Sequence, residues 1–239
     1  MTATRGLIFD YGGTLDTWGN HWGMVLWHAY EKSGVPVSEE EFRQAYVYGE
    51  RTLATRHIID KDFSFRDTLE AKIRLQMEWL SDNARLNNWT DYHALVLNMS
   101  YAVAQEATTE SAQTLQLLTE SYPMVLVSNF YGNISNVLRE FGLERFFRNI
   151  IESAVVGIRK PYPRIFALGV EKLGMRAQEV MVVGDSHDKD IVPAHSIGCR
   201  TAWIKGEGWT NKEPENIVAD CIIHRLSDLT NTLLVDEKN

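Results

Sequence analysis

The fold of this chain is decided by the stretch GLIFDYGGTLD, residues Gly6–Asp16. A short apolar run ends here in an acidic, glycine-rich turn. A buried parallel strand delivers a carboxylate to the mouth of an α/β sheet in this way, because ligands bind at the carboxyl ends of such strands. Asp10 is therefore a candidate nucleophile.

The roughly ninety residues after this turn have helical rather than strand-like patterning. Leu69, Ile73 and Met77 recur at the spacing of one helix face. Ser38 and Glu41 have the spacing of a capping box, which begins a helix. These patterns predict a helical insert of about four helices.

Strand-like patterning returns at 124–129, after a further helical stretch at 111–119, and then alternates with helical patterning. We predict helices between later strands near 150–151, 180–184, 201–204 and 221–223. Such alternation is typical of α/β proteins with a doubly wound parallel sheet. We expect residues 1–16 and 108–239 to form this core domain and residues 17–107 to form an all-helical domain.

Polar residues follow three of the predicted core segments. Ser128 and Asn129 end the strand that begins at residue 124, where a hydroxyl and a backbone amide suit a phosphoryl oxygen. Lys160 precedes a proline, which biases its backbone toward extended geometry. In VVGDSHDKD, residues 182–190, several acids follow a strand and a glycine. Clustered carboxylates repel one another unless a cation neutralises them, and oxygen ligands suit Mg²⁺, so we predict a metal site that includes Asp185.

The order Asp10, Ser128, Lys160, Asp185 resembles the four motifs of the haloacid-dehalogenase-like (HAD) hydrolase superfamily across nearly the whole chain. Residues 9–15 are similar to its first motif in sequence, and the later motifs match in spacing and predicted secondary structure. The helical insert resembles the family's C1 cap, which closes over the site and contacts the substrate. The resemblance implies a HAD-like Rossmannoid core and a hydrolase.

The resemblance also implies a role for each motif residue. Asp10 is expected to take up the phosphoryl group as the nucleophile. Ser128 and the backbone amide of Asn129 are expected to bind the phosphoryl oxygens as substrate ligands. Lys160 is expected to neutralise charge on the nucleophile and on the phosphoryl group.

The implied cofactor is Mg²⁺. Its ligands would be the carboxylates of Asp10 and Asp185 and the backbone carbonyl of Gly12. Asp190 matches the second acid of the family pattern GDxxxxD. It is expected to hold metal-bound waters or to orient Lys160.

Gly12 departs from the family pattern. The family usually has an aspartate here, which protonates the leaving group and then activates water, a role worth typically about 10²–10⁴-fold in rate. Asp16, His21 and His187 are possible replacements. For each we expect an ordinary role instead: a turn residue, an interface residue and a loop-surface residue, respectively.

Several functions are compatible with these motifs. We favour a phosphatase of a small phosphorylated metabolite that acts through an aspartyl-phosphate intermediate. Dehalogenases also lack the second aspartate, but they resemble SSNxxD in the fourth motif, which residues 184–186 do not match. Phosphonatases add a cap lysine, for which Lys32, Lys61 and Lys72 are available. A catalytically weakened HAD module that binds a metabolite or a protein partner is the non-enzymatic alternative.

The charge and composition of the chain bear on its partners. Its 239 residues have a formal net charge of -8, without a Lys/Arg cluster that would follow a phosphate backbone, so we expect no nucleic-acid partner. Cys199 and Cys221 lack the spacing of a metal site. No apolar segment reaches the roughly 18 residues of a membrane span. We expect a cytoplasmic protein that does not bind membranes; the sequence indicates no oligomeric state.

Arg51, Arg56 and His57 suit an anionic substrate, although a solvated helix face is the simpler expectation.

Overall fold

Six parallel strands form one sheet in the order β3-β2-β1-β4-β5-β6. The computed structural model of the protein describes residues 3–210 and 212–236. The strands are β1 Gly6–Phe9, β2 Met124–Ser128, β3 Asn149–Glu152, β4 Val180–Gly184, β5 Arg200–Ile204 and β6 Cys221–Ile223. Strand β1 lies in the middle of the sheet, and the later strands extend the sheet on both sides of it, which is a doubly wound topology. The predicted α/β class is confirmed.

Helices cover the sheet and form the insert. They are α1 Trp22–Lys32, α2 Glu39–Thr55, α3 Phe65–Ala84, α4 Thr90–Leu118, α5 Ile134–Glu140, α6 Ser153–Val156, α7 Arg164–Leu173, α8 Val192–Ser196 and α9 Asp228–Asp236. A single π-helical turn, His187–Ile191, precedes α8. Across residues 3–210 and 212–236, no helix combines the length and apolarity needed to cross a bilayer.

The three central strands are hydrophobic throughout because both faces of the sheet are covered. Every residue of β1, β2 and β4 is buried. Leu7 and Phe9 pack into the hydrophobic core on one face, while Ile8 packs into the core on the other. This two-sided packing fixes the carboxyl ends of the strands, where the polar motif residues begin.

The helical insert runs from α1 to α4, between β1 and β2. The predicted capping box is present: Ser38 Oγ accepts from Glu41 N at 3.3 Å, and Glu41 Oε2 accepts from Ser38 N at 2.7 Å. The helical stretch predicted at 111–119 is not a separate core helix, because α4 continues from Thr90 to Leu118 without a glycine or proline to break it. The predicted boundary between residues 107 and 108 lies inside α4, and the division into core and cap stays a prediction.

Candidate active site

The motif residues converge at the carboxyl edge of the sheet. Asp10 directly follows β1, Ser128 is the last residue of β2, and Asp185 directly follows β4. Because β1 lies between β2 and β4, these residues come together and line one cavity of about 1340 Å³. Lys160 and Asn129 lie in the same cavity wall. The arrangement is that of a ligand site at the strand ends of an open α/β sheet.

Lys160 joins two buried carboxylates. Its Nζ lies 2.6 Å from Oδ1 of Asp10 and 2.6 Å from Oδ1 of Asp190. Burial acts to lower the pKa of Lys160, but the charges of Asp10 and Asp190 raise it above its usual value. The backbone N–H of Ser186 donates to the other oxygen of Asp190 at 3.1 Å. Of the two roles predicted for Asp190, these contacts favour the orientation of Lys160.

Asn129 fixes the loop that carries Lys160. Its side-chain oxygen accepts from Lys160 N at 2.9 Å, and its amide nitrogen donates to Lys160 O at 3.1 Å. The sequence predicted a backbone role for Asn129 toward the phosphoryl group. The structure adds a side-chain role, because this reciprocal pair sets where the ammonium enters the cavity.

Asp185 lies against the loop that follows β1 because Gly13 has no side chain. Gly13 has a φ of +98°, and a Cβ there would lie 2.3 Å from Asp185 Cγ. Trp203 Nε1 donates to Asp185 O at 2.7 Å, and Thr14 Oγ1 approaches Asp185 Oδ1 at 3.4 Å. The glycine of the first motif therefore permits the close approach of the fourth motif.

The site suits a divalent cation. Asp10, Asp185 and Asp190 each contribute an oxygen, and these oxygens lie within 4.8 Å of one another. Burial, together with the charges of Asp190 and Asp10, raises the pKa of Asp185 well above its usual value. Three carboxylates thus face the single ammonium of Lys160, which leaves negative charge that Mg²⁺ and its preference for oxygen ligands would fit. Both oxygens of Asp190 are engaged, one by Lys160 and the other by Ser186 N, whereas Lys160 contacts one oxygen of Asp10, so Asp10 and Asp185 are the better candidates for metal ligands.

Gly12 lines the cavity but does not need to be glycine. Its backbone is outside the left-handed region. Among the described residues, the nearest atom to a Cβ built there is Trp22 Cδ1, at an ordinary contact distance of 3.9 Å. The loop could therefore hold a side chain at this position. The glycine affects the chemistry of the site, because it supplies no carboxyl group at this position.

A family model for haloacid dehalogenase-like hydrolases matches residues 4–198, which include Asp10, Ser128, Lys160 and Asp185. The chain belongs to this family. The HAD-like hydrolase is 24% identical over 235 residues to phosphoglycolate phosphatase of Pectobacterium atrosepticum, across 96% of this chain and 92% of that protein. It is 35% identical over 79 residues to glyceraldehyde 3-phosphate phosphatase of Methanopyrus kandleri, across 33% of this chain and 34% of that protein. The match thus spans about a third of the length of the latter enzyme.

Solved structures share the fold of the HAD-like hydrolase. A dehalogenase crystallised with an intermediate complex aligns with a TM-score of 0.67 and 20% identity, covering 97% of this chain and 98% of that chain. At this identity the likeness shows the fold alone. It confirms the HAD-like Rossmannoid core predicted from the motifs.

Asp16 holds in place the loop that follows β1 of the hydrolase. Its Oδ1 accepts from Gly13 N at 2.7 Å, and its Oδ2 accepts from Trp22 Nε1 at 2.9 Å. Burial, opposed by these hydrogen bonds, raises its pKa to about 7. Both oxygens are engaged by the loop and by the insert, which agrees with the turn role expected for Asp16 and does not favour proton transfer to a substrate.

His21 lies where the insert meets a core loop. Its Nδ1 accepts from Gly23 N at 3.0 Å and so caps α1. Its ring lies 5.9 Å from the ring of Tyr46 and 5.3 Å from that of Trp209. Burial lowers the pKa of His21 to about 4, so the imidazole is neutral and packs as an interface residue, as expected.

His187 differs from its predicted role. We expected a loop-surface residue, but its side chain is buried and its ring lies 5.4 Å from the ring of Trp203. The physical reason is the π-helical turn that His187 begins, which places the ring against β5. The acids of the fourth motif suggested an exposed loop, and the sequence contains no clear signal for the π turn.

The insert contributes an ion pair of which the sequence analysis named Lys72 but not Glu50. Lys72 Nζ lies 2.7 Å from Glu50 Oε1, and Tyr131 OH donates to Glu50 Oε2 at 3.0 Å. All three residues line the cavity. Glu50 lies on the same face of α2 as the buried residues Tyr46 and Leu53, four residues before it and three after it. A charge on an apolar helix face was the signal available in the sequence.

Other charged residues of the insert border the cavity at exposed positions. Arg51, Arg56 and His57, expected to form a solvated helix face, are exposed and also belong to the cavity wall. Lys32 and Lys61 do not line it, and Lys61 instead pairs with Asp62 at 2.8 Å. Of the three lysines considered for a phosphonatase, only Lys72 therefore faces the cavity.

Proposed function

We propose that this HAD-like hydrolase is a Mg²⁺-dependent phosphatase of a small phosphorylated metabolite. The observation that carries the proposal is the buried contact between Lys160 and Asp10 beside Asp185. It combines a carboxylate nucleophile, a fixed positive charge and oxygen ligands for a cation, which are the groups that phosphoryl transfer requires. The relatives named as phosphatases are consistent with this function.

In the first step a carboxylate oxygen of Asp10 attacks phosphorus. The bond between phosphorus and the ester oxygen breaks, and that oxygen leaves with the bonding electron pair. The Ser128 hydroxyl, the backbone amide of Asn129 and the Lys160 ammonium hold the phosphoryl oxygens and offset their charge. Mg²⁺, held by Asp10, Asp185 and the Gly12 carbonyl, would supply further neutralisation of phosphoryl charge when bound.

In the second step water attacks the phosphorus of the aspartyl phosphate. The bond between phosphorus and the Asp10 oxygen breaks, which releases phosphate and regenerates the carboxylate. Because Gly12 supplies no carboxyl, the leaving oxygen takes its proton from solvent and the attacking water loses its proton to solvent. Position 12 provides no general acid or base for either proton transfer, so we expect slow hydrolysis of the intermediate.

The other chemistries fit the site less well. Burial acts to lower the pKa of Lys72, but Glu50 raises it well above its usual value. Lys72 is therefore protonated, whereas the phosphonatase reaction needs a neutral amine to form an imine. The second candidate function is a module that binds its ligand without turnover, and the observation in its support is that Gly12 supplies no acid or base.

Hydrolysis of p-nitrophenyl phosphate with and without Mg²⁺ tests the proposal. The wild-type protein should release phosphate only with Mg²⁺, and Asp10→Asn should abolish release while its circular dichroism is unchanged, since an amide cannot attack phosphorus. The exposed Asp62→Asn variant is the matched control and should retain wild-type activity. Activity above about one per cent in purified Asp10→Asn would exclude Asp10 as the nucleophile, and an inactive wild type would favour the binding module.

A further inference from the structure

A second charged cluster lies in the cavity, on the side formed by the insert. Glu50 of α2 and Lys72 of α3 form an ion pair of 2.7 Å, and Tyr131 of the core donates to Glu50 at 3.0 Å. We call these three residues the cap cluster. Lys72 Nζ also lies 5.6 Å from the centre of the Tyr131 ring. The cap cluster therefore joins the insert to the loop that follows Ser128.

The cap cluster is charged at neutral pH. Burial acts to raise the pKa of Glu50, but Lys72 and the hydrogen bond from Tyr131 lower it. As described above, the pKa of Lys72 is raised in turn. A partly buried pair of this kind costs desolvation free energy, and packing alone does not require it.

Part of the cap cluster is open to the cavity. The side chains of Lys72 and Glu50 are 12% and 33% exposed, and both line the cavity that contains Asp10. An ammonium has more N–H donors, and a carboxylate more lone pairs, than the contacts described use. Tyr46, one helical turn before Glu50 on α2, lines the same cavity as Asp10 and Asp185.

The paired charges limit what binds there. A second anionic group would be attracted by Lys72 but repelled by Glu50, and an apolar group would remove water from both charges without replacing its hydrogen bonds. A hydroxyl group can donate to Glu50 and accept from Lys72. Tyr46, Tyr131 and Trp209 also line the cavity, and aromatic rings suit the C–H bonds between such hydroxyls.

We propose that the cap cluster binds hydroxyl groups of the leaving alcohol, so that the substrates are phosphate esters of polyhydroxylated alcohols, such as sugars and polyols. This inference rests on the proposed phosphatase function and names its substrate class. Glu50 and Lys72 are specificity residues in this account, because they contact the leaving group and not the reacting phosphorus. Tyr131 positions Glu50.

The test compares substrates that differ in their hydroxyl groups. Wild-type kcat/KM is measured with Mg²⁺ for glucose 1-phosphate, glucose 6-phosphate and ribose 5-phosphate, and for n-hexyl phosphate and p-nitrophenyl phosphate. At least one sugar phosphate should exceed n-hexyl phosphate by about tenfold or more, because the alkyl chain leaves the charges without partners. Glu50→Gln and Lys72→Met should each lower the ratio of sugar phosphate to p-nitrophenyl phosphate by about tenfold or more, with a rise in the KM of the sugar phosphate.

The exposed pair Lys61 and Asp62, 78% and 79% exposed, gives matched controls. Lys61→Met and Asp62→Asn should leave the ratio at its wild-type value, since exposed ion pairs contribute little. The inference is overturned if the Glu50 and Lys72 variants slow both substrates equally, because the cluster then only holds the fold. It is also overturned if wild type hydrolyses p-nitrophenyl phosphate but no sugar phosphate better than n-hexyl phosphate. If wild type hydrolyses none of the five compounds, the phosphatase function itself is wrong.

Discussion

Lys160 Nζ lies 2.6 Å from Asp10 Oδ1, inside a site where both side chains are buried. The contact places an ammonium beside the carboxylate that we propose as the nucleophile, where it would offset the charge of a phosphoryl group. Lys160 also contacts Asp190, so one ammonium offsets two carboxylates. Removal of this ammonium should therefore affect activity and stability together.

We predict that Lys160→Met lowers hydrolysis of p-nitrophenyl phosphate by about 10²-fold or more, because fixed charge at the phosphoryl group is lost. Without Mg²⁺ the variant should also unfold at a lower temperature than wild type, since Asp10 and Asp190 become buried carboxylates without a cation. Steady-state kinetics and thermal unfolding measure the two effects. Lys61→Met, at an exposed lysine, is the control, and near-normal activity in Lys160→Met would contradict the assigned role.

The metal site gives a second prediction. Asp185→Asn should weaken Mg²⁺ binding by about 10²-fold or more in calorimetry, because it removes a charged ligand from a two-carboxylate site. Asp188→Asn changes an acid in the same loop whose side chain is 92% exposed, and it should bind Mg²⁺ as wild type does. Equal affinity in wild type and Asp185→Asn would place the metal elsewhere.

Asp16 predicts a pH dependence of stability. Its folded-state pKa is about 7, raised from 3.8 mainly by burial, so the folded state holds this proton more tightly than the unfolded chain does. The stability contributed is present at low pH and is lost as the pH rises from about 4 through about 7.

Asp16→Asn does not ionise. Its free energy of unfolding relative to wild type should therefore rise between pH 5 and pH 8, by on the order of 2 kcal/mol. Denaturant unfolding of the Mg²⁺-free proteins measures this difference, and the comparison cancels the titration of His21 and other groups common to both. A difference that stays constant with pH would show that Asp16 is ionised throughout the range.

The sequence was sufficient to predict the core of the fold and the convergence of the motif residues. Both follow from local signals: apolar strands such as β4, and polar residues directly at their carboxyl ends. The side chains that the insert directs into the cavity were not predicted, because helical periodicity shows one buried face but not what that face covers. Lys72 looked like Lys32 and Lys61 in sequence, and only tertiary packing distinguishes it.

The surroundings of Gly12 allow a direct test of the missing acid and base. Because a Cβ there meets Trp22 Cδ1 at 3.9 Å, Gly12→Asp should fold normally. Its carboxyl should raise steady-state turnover by about tenfold or more, because hydrolysis of the intermediate gains a general base. This slow steady-state phase should gain more than the initial burst, which reports formation of the phosphoryl-enzyme. Gly12→Asn has nearly the same shape without proton transfer and is the control. Rapid-quench kinetics in which Gly12→Asp and Gly12→Asn behave alike would show that another group already performs the acid and base steps.

Trapping of the phosphoryl-enzyme tests the central claim most directly. The wild-type protein is mixed with Mg²⁺ and ³²P-labelled aryl phosphate, quenched in acid within the burst, and digested for mass spectrometry. Since Gly12 supplies no base for hydrolysis of the intermediate, label should accumulate on the peptide that contains Asp10 and should be absent from Asp10→Asn. Turnover without labelled protein, or label on a different residue, would contradict an aspartyl phosphate at Asp10.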